Sequence, residues 1–264
     1  MRTDYETLHL EIIEDHILVV MYDRPEVRNA KNTQMGIDQR DLFESLYVDQ
    51  NALRVIVLTG RGDKAFSAGG DLKERDGMSD ADWKRQHAIF EQSALALRAC
   101  PIPVIGAING AAFGGGCETA LNVDFCYAST TAKFALTEIT LGIIPGTMGT
   151  QNLPQAMGER RAKEIIFTGR PFSAQEAFEW GLVNKVCEPD ALMKDTLDTA
   201  RRIAANAPLA VQRAKRATTI ANQVDRTTGY QFELEAYNRL VGTEDRMEGV
   251  RAFNEKRKPV FQGK

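Results

Sequence analysis

Residues 109–121 read Asn-Gly-Ala-Ala-Phe-Gly-Gly-Gly-Cys-Glu-Thr-Ala-Leu and directly follow an apolar run, residues 104–108, which predicts a buried strand. Three consecutive glycines cost backbone entropy, so they indicate that another group approaches the main chain closely. The apolar, helix-favouring residues after them predict a helix whose first turn offers free N–H groups and the positive end of a dipole. Glu118 stands three residues after Gly115, so the two share one side of that helix. We therefore expect a site for negative charge beside a candidate acid or base.

The same stretch has simpler interpretations. A glycine cluster after a strand is often only a tight turn, and a glutamate in a first helical turn often only interacts with the dipole. A dinucleotide fingerprint requires G-x-G-x-x-G, but Thr119 stands where a third glycine would follow Gly114 and Gly116, and an acid precedes it. A phosphate-binding P-loop requires Gly-Lys followed by Ser or Thr, which this stretch lacks. The two nucleotide-binding motifs are excluded.

Composition narrows the class of protein. The 264 residues suffice for one large domain or two small ones. A formal charge of −3 gives no basic excess, so nothing indicates nucleic-acid binding. No apolar run approaches a membrane span and residues 1–6 lack a secretory core, so we expect a cytoplasmic protein. The four cysteines lack C-x-x-C spacing and the three histidines form no cluster, so we expect no metal site.

The hydrophobic pattern alternates between strand and helix over the first half of the chain. Two β-prone runs, residues 8–13 and 17–22, predict an antiparallel hairpin at the start. From residue 150 onward the pattern is nearly all helical, with predicted helices at 159–168, 174–180, 189–206, 209–222 and 229–241. The chain therefore predicts an α/β core with parallel crossovers, assigned to residues 1–200, and a helical C-terminal region, assigned to residues 201–264.

A second glycine loop, residues 61–73, also follows an apolar strand. If the strands before the two loops are neighbours in one sheet, both loops emerge at the same edge, where open α/β sheets bind ligands. N–H groups near Gly70 and Gly115 would then converge on one oxygen as an oxyanion hole, each stabilising developing charge there by roughly 3 kcal/mol. Two acids, Glu118 and Glu138, are expected beside it. Apolar surroundings and like charge should raise the pKa of at least one of them.

Five segments in order along the chain resemble the crotonase, or enoyl-CoA hydratase/isomerase, superfamily, from about residue 8 to the last residues. They are Asp-Arg-Pro-Glu-Val-Arg-Asn-Ala at 23–30, Ala-Phe-Ser-Ala-Gly-Gly-Asp-Leu-Lys at 65–73, Asn-Gly-Ala-Ala-Phe-Gly-Gly-Gly-Cys-Glu at 109–118, Glu-Ile-Thr-Leu-Gly-Ile-Ile-Pro-Gly at 138–146 and Glu-Lys-Arg-Lys-Pro at 255–259. The resemblance implies a spiral core of repeated ββα units with a helical C-terminal trimerisation region. It implies an acyl-CoA thioester substrate, no cofactor beyond the coenzyme A of that substrate, and a homotrimer or a homohexamer built as a dimer of trimers.

Site residues follow from the same resemblance. The oxyanion-hole amides would be those of Gly70 and Gly115, and the catalytic acids Glu118 and Glu138. In adding water to a trans-2-enoyl-CoA to give a 3-hydroxyacyl-CoA, Glu118 would deprotonate the water that attacks the β-carbon, and Glu138 would protonate the α-carbon. Substrate and coenzyme contacts would come from Ala30, Ala68, Gly70, Asp71, Leu72 and Lys73, and from Phe253 and Lys256 of an adjoining subunit.

Two positions depart from the family's pattern. Lys31 stands where a leucine is common, and residues 147–149, Thr-Met-Gly, replace the more usual Ala-Gly-Gly. Both positions are expected to line or shape the pocket. We predict that Met148 narrows its acyl end.

Other functions stay open at this stage. Acids at both positions favour hydration over double-bond isomerisation, but they leave open dehydration and a hydratase or hydratase–lyase acting on aromatic or branched acyl-CoA. Ser67 lies in the oxyanion loop, but the G-x-S-x-G elbow of a serine hydrolase is missing and no histidine has an obvious place beside it. A non-catalytic acyl-CoA-binding protein is the alternative of another class. The retained glutamates and glycines oppose it.

Overall fold

Residues 2–264 are described by a computed structural model, and within them ten strands form two sheets. The strands are β1 Leu8–Ile13, β2 Ile17–Tyr22, β3 Val55–Gly60, β4 Ala65–Ser67, β5 Val104–Ile108, β6 Ala111–Phe113, β7 Phe125–Ser129, β8 Lys133–Ala135, β9 Phe172–Ser173 and β10 Lys185–Cys187. The larger sheet has the order β1-β2-β3-β5-β7-β10, and the smaller has the order β4-β6-β8-β9. The hairpin β1-β2 and the pair β8-β9 are antiparallel, and the other pairs are parallel.

Eleven α-helices connect and cover these strands in the described part of the chain. They are α1 Thr33–Val48, α2 Leu72–Arg75, α3 Asp80–Ala99, α4 Gly115–Asn122, α5 Gly149–Met157, α6 Glu159–Thr168, α7 Ala174–Glu179, α8 Pro189–Ala204, α9 Pro208–Ile220, α10 Arg226–Val241 and α11 Glu244–Asn254. Short 3₁₀ turns cover Pro25–Val27 and Glu138–Leu141. No helix within residues 2–264 has both the length and the apolar character that crossing a membrane requires.

The core repeats one unit three times. In each repeat the first strand joins the larger sheet, the second joins the smaller sheet, and a helix follows: β3-β4-α2, β5-β6-α4 and, with a 3₁₀ turn between, β7-β8-α5. Consecutive repeats place equivalent strands side by side and parallel in both sheets. This arrangement confirms the expected spiral of ββα units with a helical C-terminal region.

Strand β3 shows why the larger sheet is held in the middle of the molecule. All six of its residues are buried. Ile56 and Leu58 belong to the main apolar cluster on one face of the sheet, whereas Val55 and Val57 belong to a second cluster on the other face. Successive side chains of a strand point to opposite faces, so an uninterrupted apolar run stabilises a sheet that is covered on both sides. Helix α8 covers the second face.

Several boundaries differ from the sequence-based expectation. The predicted hairpin strands have the observed bounds, but β4 and β6 were expected as loop because three-residue strands carry too few residues for a pattern. Helix α5 was missed because it contains Pro154. Helix α11 was missed because it buries only Asp245 and Ala252. Helix α8 runs through residue 200, so the assigned domain boundary falls inside a helix that packs on the larger sheet.

The start of α4 lies directly on the loop after β4. A Cβ atom added to Gly116 would lie 2.3 Å from the carbonyl oxygen of Ser67, and real Cβ atoms do not approach backbone so closely. The glycine is therefore required by the close approach of two backbone segments.

We expect Gly116→Ala to lower the free energy of unfolding by about 2 kcal/mol, because α4 or the loop must shift to admit the methyl group. Urea unfolding measures the change. Gly242→Ala is the matched control, since Gly242 has φ −84° and an added Cβ meets no heavy atom within 4 Å. Equal stability of the two variants would contradict the packing described here.

Candidate active site

A cavity of about 750 Å³ opens where the two glycine loops meet, within the size range of small-molecule sites. Its walls include all four residues to which the sequence assigned chemistry: Gly70, Gly115, Glu118 and Glu138. The two loops, the first turn of α4 and the 3₁₀ turn at Glu138–Leu141 therefore contribute to one site.

The smaller sheet places the loops side by side. β4 and β6 are parallel neighbours, with Ala65 paired to Ala111 and Ser67 to Ala112, so the two loops leave the sheet at the same edge. Gly69, in the first loop, has φ +87°, and a Cβ on it would lie 2.6 Å from the carbonyl oxygen of Phe113. Main chain thus packs on main chain, which only glycine permits there.

The amides of Gly70 and Gly115 are free to meet a ligand. Lys31 donates its backbone N–H to the Gly69 carbonyl at 2.7 Å and accepts from the Asp71 N–H at 2.9 Å. This parallel bridge uses the neighbours of Gly70 and leaves its own N–H unused. Gly115 begins α4, where the first N–H groups have no intrahelical acceptor. Within residues 2–264 neither amide has a hydrogen-bond acceptor, so they are not tied up in turns.

Glu118 is a buried carboxylate held by three donors. Its Oε1 accepts from the backbone N–H of Thr147 at 2.7 Å and of Gly149 at 2.9 Å, and its Oε2 accepts from the Thr147 hydroxyl at 2.6 Å. Met148, between the two amides, has φ +77°, a backbone geometry that turns successive N–H groups toward one anion. Hydrogen bonds of this kind fix the orientation of the carboxyl group.

Glu138 has a different environment. Its Oε2 is buried and has no hydrogen-bond partner among the described residues. Burial raises the pKa of Glu138 to about 7, the negative charge of Glu118 adds to the effect, and a backbone hydrogen bond and Arg75 oppose it. An added Cβ on Gly114 would lie 3.2 Å from Glu138 Oε1, which places this acid against the second glycine loop. The raised pKa confirms the prediction that one acid of the pair would be shifted.

The residues predicted to contact substrate and coenzyme fall into two groups. Ala68 and Leu72 are exposed and line the cavity, together with Gly70. Ala30 is buried, and its carbonyl accepts a hydrogen bond from Arg24 at 2.6 Å. The Asp71 carboxylate caps the first turn of α2 and pairs with Arg24 at 2.9 Å, so it stabilises the loop itself.

The remaining predicted contacts lie outside the cavity. Lys73 is exposed beside the loop, and Phe253 and Lys256 are exposed near the C terminus. None of the three is among the residues that line the cavity of their own subunit. Their contact with coenzyme stays a prediction.

Three residues of the site were not anticipated from the sequence. Thr147 and Gly149 hold Glu118, although residues 147–149 were expected to line or shape the pocket. Arg75 lines the cavity above Gly70, with its guanidinium 4.2 Å from the centre of the Trp83 ring, although the polar residues 74–83 predict a mobile rim or a short helix. In the sequence, the only sign of a role for these residues was that each is polar or a glycine and lies near one of the family's motifs.

The prediction that Met148 narrows the acyl end of the pocket stays a prediction. Met148 is not among the residues that line the cavity, whereas its neighbour Thr147 is. The left-handed backbone at Met148 directs the adjacent amides inward to Glu118, and its influence on the site is through the main chain. Lys31, the other departure from the family pattern, does line the cavity as expected.

Ionisation of Glu138 should make stability depend on pH. The folded state raises its pKa from 4.5 to about 7, so the protein binds more protons folded than unfolded between these values, and stability falls as pH rises through that window. Glu138→Gln removes the ionisation and should stabilise the protein at pH 8 by roughly 3 kcal/mol relative to its effect at pH 4. Urea unfolding at the two pH values measures the difference. Equal effects of the substitution at both would show that Glu138 is not desolvated.

Known proteins are similar to this chain in fold and in sequence. The family model described as enoyl-CoA hydratase/isomerase matches residues 13–264. A short-chain-enoyl-CoA hydratase of Clostridium acetobutylicum is 39% identical over 93% of this chain and 94% of its own length, and a crotonyl-CoA hydratase of Syntrophomonas wolfei is 37% identical over 98% and 99%. The crystal structure of an enoyl-CoA hydratase from Bacillus anthracis matches with a TM-score of 0.96 and 40% identity over 98% of this chain and 100% of that one. This chain belongs to the enoyl-CoA hydratase/isomerase family.

Proposed function

We propose that the protein catalyses the reversible addition of water to a trans-2-enoyl-CoA, which gives a 3-hydroxyacyl-CoA. The observation that carries this proposal is the arrangement of two unused amides and two unlike carboxyl groups around one cavity. The hydratase names of the similar proteins support it.

The amides of Gly70 and Gly115 are proposed to bind the thioester carbonyl oxygen of the substrate. Attack at the β-carbon moves negative charge onto that oxygen, and donors fixed before the reaction stabilise the charge without reorganising. Gly115 adds the positive end of the α4 dipole. Each donor contributes roughly 3 kcal/mol to stabilising the enolate.

The two glutamates divide the proton transfers according to their environments. Glu118 is held as an acceptor by three donors, and Oε2 has a lone pair left for a water molecule, which it orients and deprotonates. Glu138, with its raised pKa and an Oε2 without a partner, retains a proton near neutral pH and delivers it to the α-carbon. Water thereby adds across the double bond. The proton gained by Glu118 returns to Glu138 before the next turnover.

Coenzyme recognition is assigned to the mouth of the cavity. Ala68 and Leu72 form one side of it, and the cations Arg75 and Lys84 line it close by. A long thioester held along this rim would use remote binding energy to orient the enoyl group. Phe253 and Lys256, exposed on the C-terminal tail, would complete the coenzyme site of a neighbouring subunit.

Removal of either carboxylate should abolish most hydration. We expect Glu118→Gln and Glu138→Gln each to lower kcat for crotonyl-CoA by roughly 10²- to 10⁴-fold, the usual contribution of one acid or base. The loss of the conjugated enoyl absorbance in the ultraviolet measures the rate.

For the wild type, kcat/KM should fall as pH rises above about 7, because the proton on Glu138 is then lost.

A panel of straight, branched and aromatic enoyl-CoA thioesters provides the control. No turnover of any of them would contradict hydration. Movement of the double bond without addition of water would identify an isomerase. Thioester binding without turnover would identify a binding protein.

Self-association is proposed through the exposed apolar face of α10, in the homotrimer or dimer of trimers that the family resemblance implies. Tyr230, Leu234, Tyr237 and Val241 recur at spacings of four, three and four residues and are all exposed, while Ala236 is the only buried residue of that helix. Such a stripe lies on one side of a helix and is typical of an interface.

We expect Tyr237→Asp to dissociate the oligomer, because a carboxylate at the centre of the stripe is costly to bury. Sedimentation velocity measures the state of assembly. Phe167→Asp, an exposed aromatic on α6 outside this stripe, is the control. A wild-type protein that sediments as a monomer would contradict the proposal.

A further inference from the structure

Lys31 reaches into the cavity from the loop that positions the oxyanion hole. Its main chain bridges Gly69 and Asp71, as described above. Its side chain passes under the start of α4, where the Cδ atom lies 4.0 Å from the position of an added Cβ on Gly115. The ammonium group then ends beside Thr119, one turn further along α4.

The Lys31 ammonium group has N–H donors without an acceptor in the described part of the chain. It donates to the Thr119 hydroxyl, which in turn donates to the Gly115 carbonyl at 2.8 Å, and it lies 5.2 Å from the centre of the Tyr22 ring. A lysine carries three N–H donors. Within residues 2–264 no carboxylate oxygen lies within 4.0 Å of this nitrogen, so Lys31 has no ion-pair partner.

This placement is costly for the fold. Although the side chain keeps some exposure toward the cavity, burial lowers the pKa of Lys31 to about 8, against the opposing effect of the Glu118 charge. An apolar side chain of similar size would fill the same space without desolvating a charge. Glu118 already accepts three hydrogen bonds and does not need the lysine to satisfy its oxygens. The unused donors therefore point to a group that the substrate brings.

Polar and apolar side chains both line the cavity. Gln39, Ser93, Thr119 and Asn122 are buried polar residues of its wall, and Met35, Ala94 and Leu97 are buried apolar ones. An anionic group in the cavity would form an ion pair with the Lys31 ammonium and offset part of the free energy that its desolvation costs.

We propose that Lys31 determines substrate specificity by binding a carboxylate at the end of the acyl chain, so that the preferred substrate is the CoA monothioester of an unsaturated dicarboxylic acid. The inference rests on the proposed hydration of enoyl-CoA at the same site. It concerns which acyl group is accepted, and the reaction itself is unchanged.

The test compares two substrates that differ only in charge. One is glutaconyl-CoA, a trans-2-enoyl-CoA with a terminal carboxylate, and the other is its neutral isostere with an isopropyl group in place of the carboxylate. For the wild type we expect kcat/KM to favour glutaconyl-CoA by roughly 10- to 100-fold, the effect of a charge-assisted hydrogen bond. Lys31→Met should abolish or reverse this preference, and Lys31→Arg should retain part of it.

Binding provides a readout that does not depend on turnover. Glutaryl-CoA and its isopropyl isostere lack the double bond, so their dissociation constants report recognition alone. We expect the same preference in the wild type and its loss in Lys31→Met. Lys194→Met, at a solvent-exposed lysine of α8, removes the same charge and should keep the wild-type preference.

The outcomes separate this inference from the proposed function. Turnover of crotonyl-CoA and of the isostere as efficiently as glutaconyl-CoA would overturn the role of Lys31 and leave hydration intact. So would equal losses for both substrates in Lys31→Met. If no enoyl thioester is hydrated, the proposed function fails. The role of Lys31 is then decided by whether Lys31→Met removes the preference for binding glutaryl-CoA over its isopropyl isostere. If Lys31→Met does not fold, the wild-type preference in both assays decides it.

Discussion

The site depends on the contact of one glycine loop with the other, main chain against main chain. Gly69 lies against the Phe113 carbonyl, and Gly116 against the Ser67 carbonyl, at distances that exclude a methyl group. The small sheet creates this contact because β4 and β6 are parallel neighbours that end together. Backbone N–H groups inside a folded protein nearly always have a hydrogen-bond acceptor. Here the backbone N–H groups of Gly70 and Gly115 have no acceptor among the described residues, and both glycines line the cavity.

The two acids acquire different properties from their neighbours, although they are the same residue type. Three donors surround Glu118, whereas Glu138 meets apolar surroundings and the charge of Glu118. Desolvation and like charge both disfavour a second carboxylate, and they raise the pKa of Glu138. The proposed addition of water uses this difference, because it needs one group that accepts a proton and another that delivers one.

Desolvation also affects Lys31, the residue proposed to determine substrate specificity. Burial of a charged side chain without an ion-pair partner costs free energy in the folded protein, and the hydrogen bond to Thr119 uses one of the three donors of the ammonium group. Its backbone positions Gly70, and its side chain borders the space that the acyl group would occupy. In the proposed reaction, the backbone of Lys31 would support the oxyanion hole and its side chain would contribute to the choice of substrate.

The sequence by itself determined the repeated strand and helix pattern, the first hairpin, the two glycine loops and the four residues that line the site. These follow from local periodicity and from motifs that lie within short segments. Only the tertiary structure decided that β4 and β6 exist as strands and that Thr147 and Gly149 hold Glu118. These features arise between segments far apart in the chain, where pairing and desolvation are set by neighbours that no local pattern records.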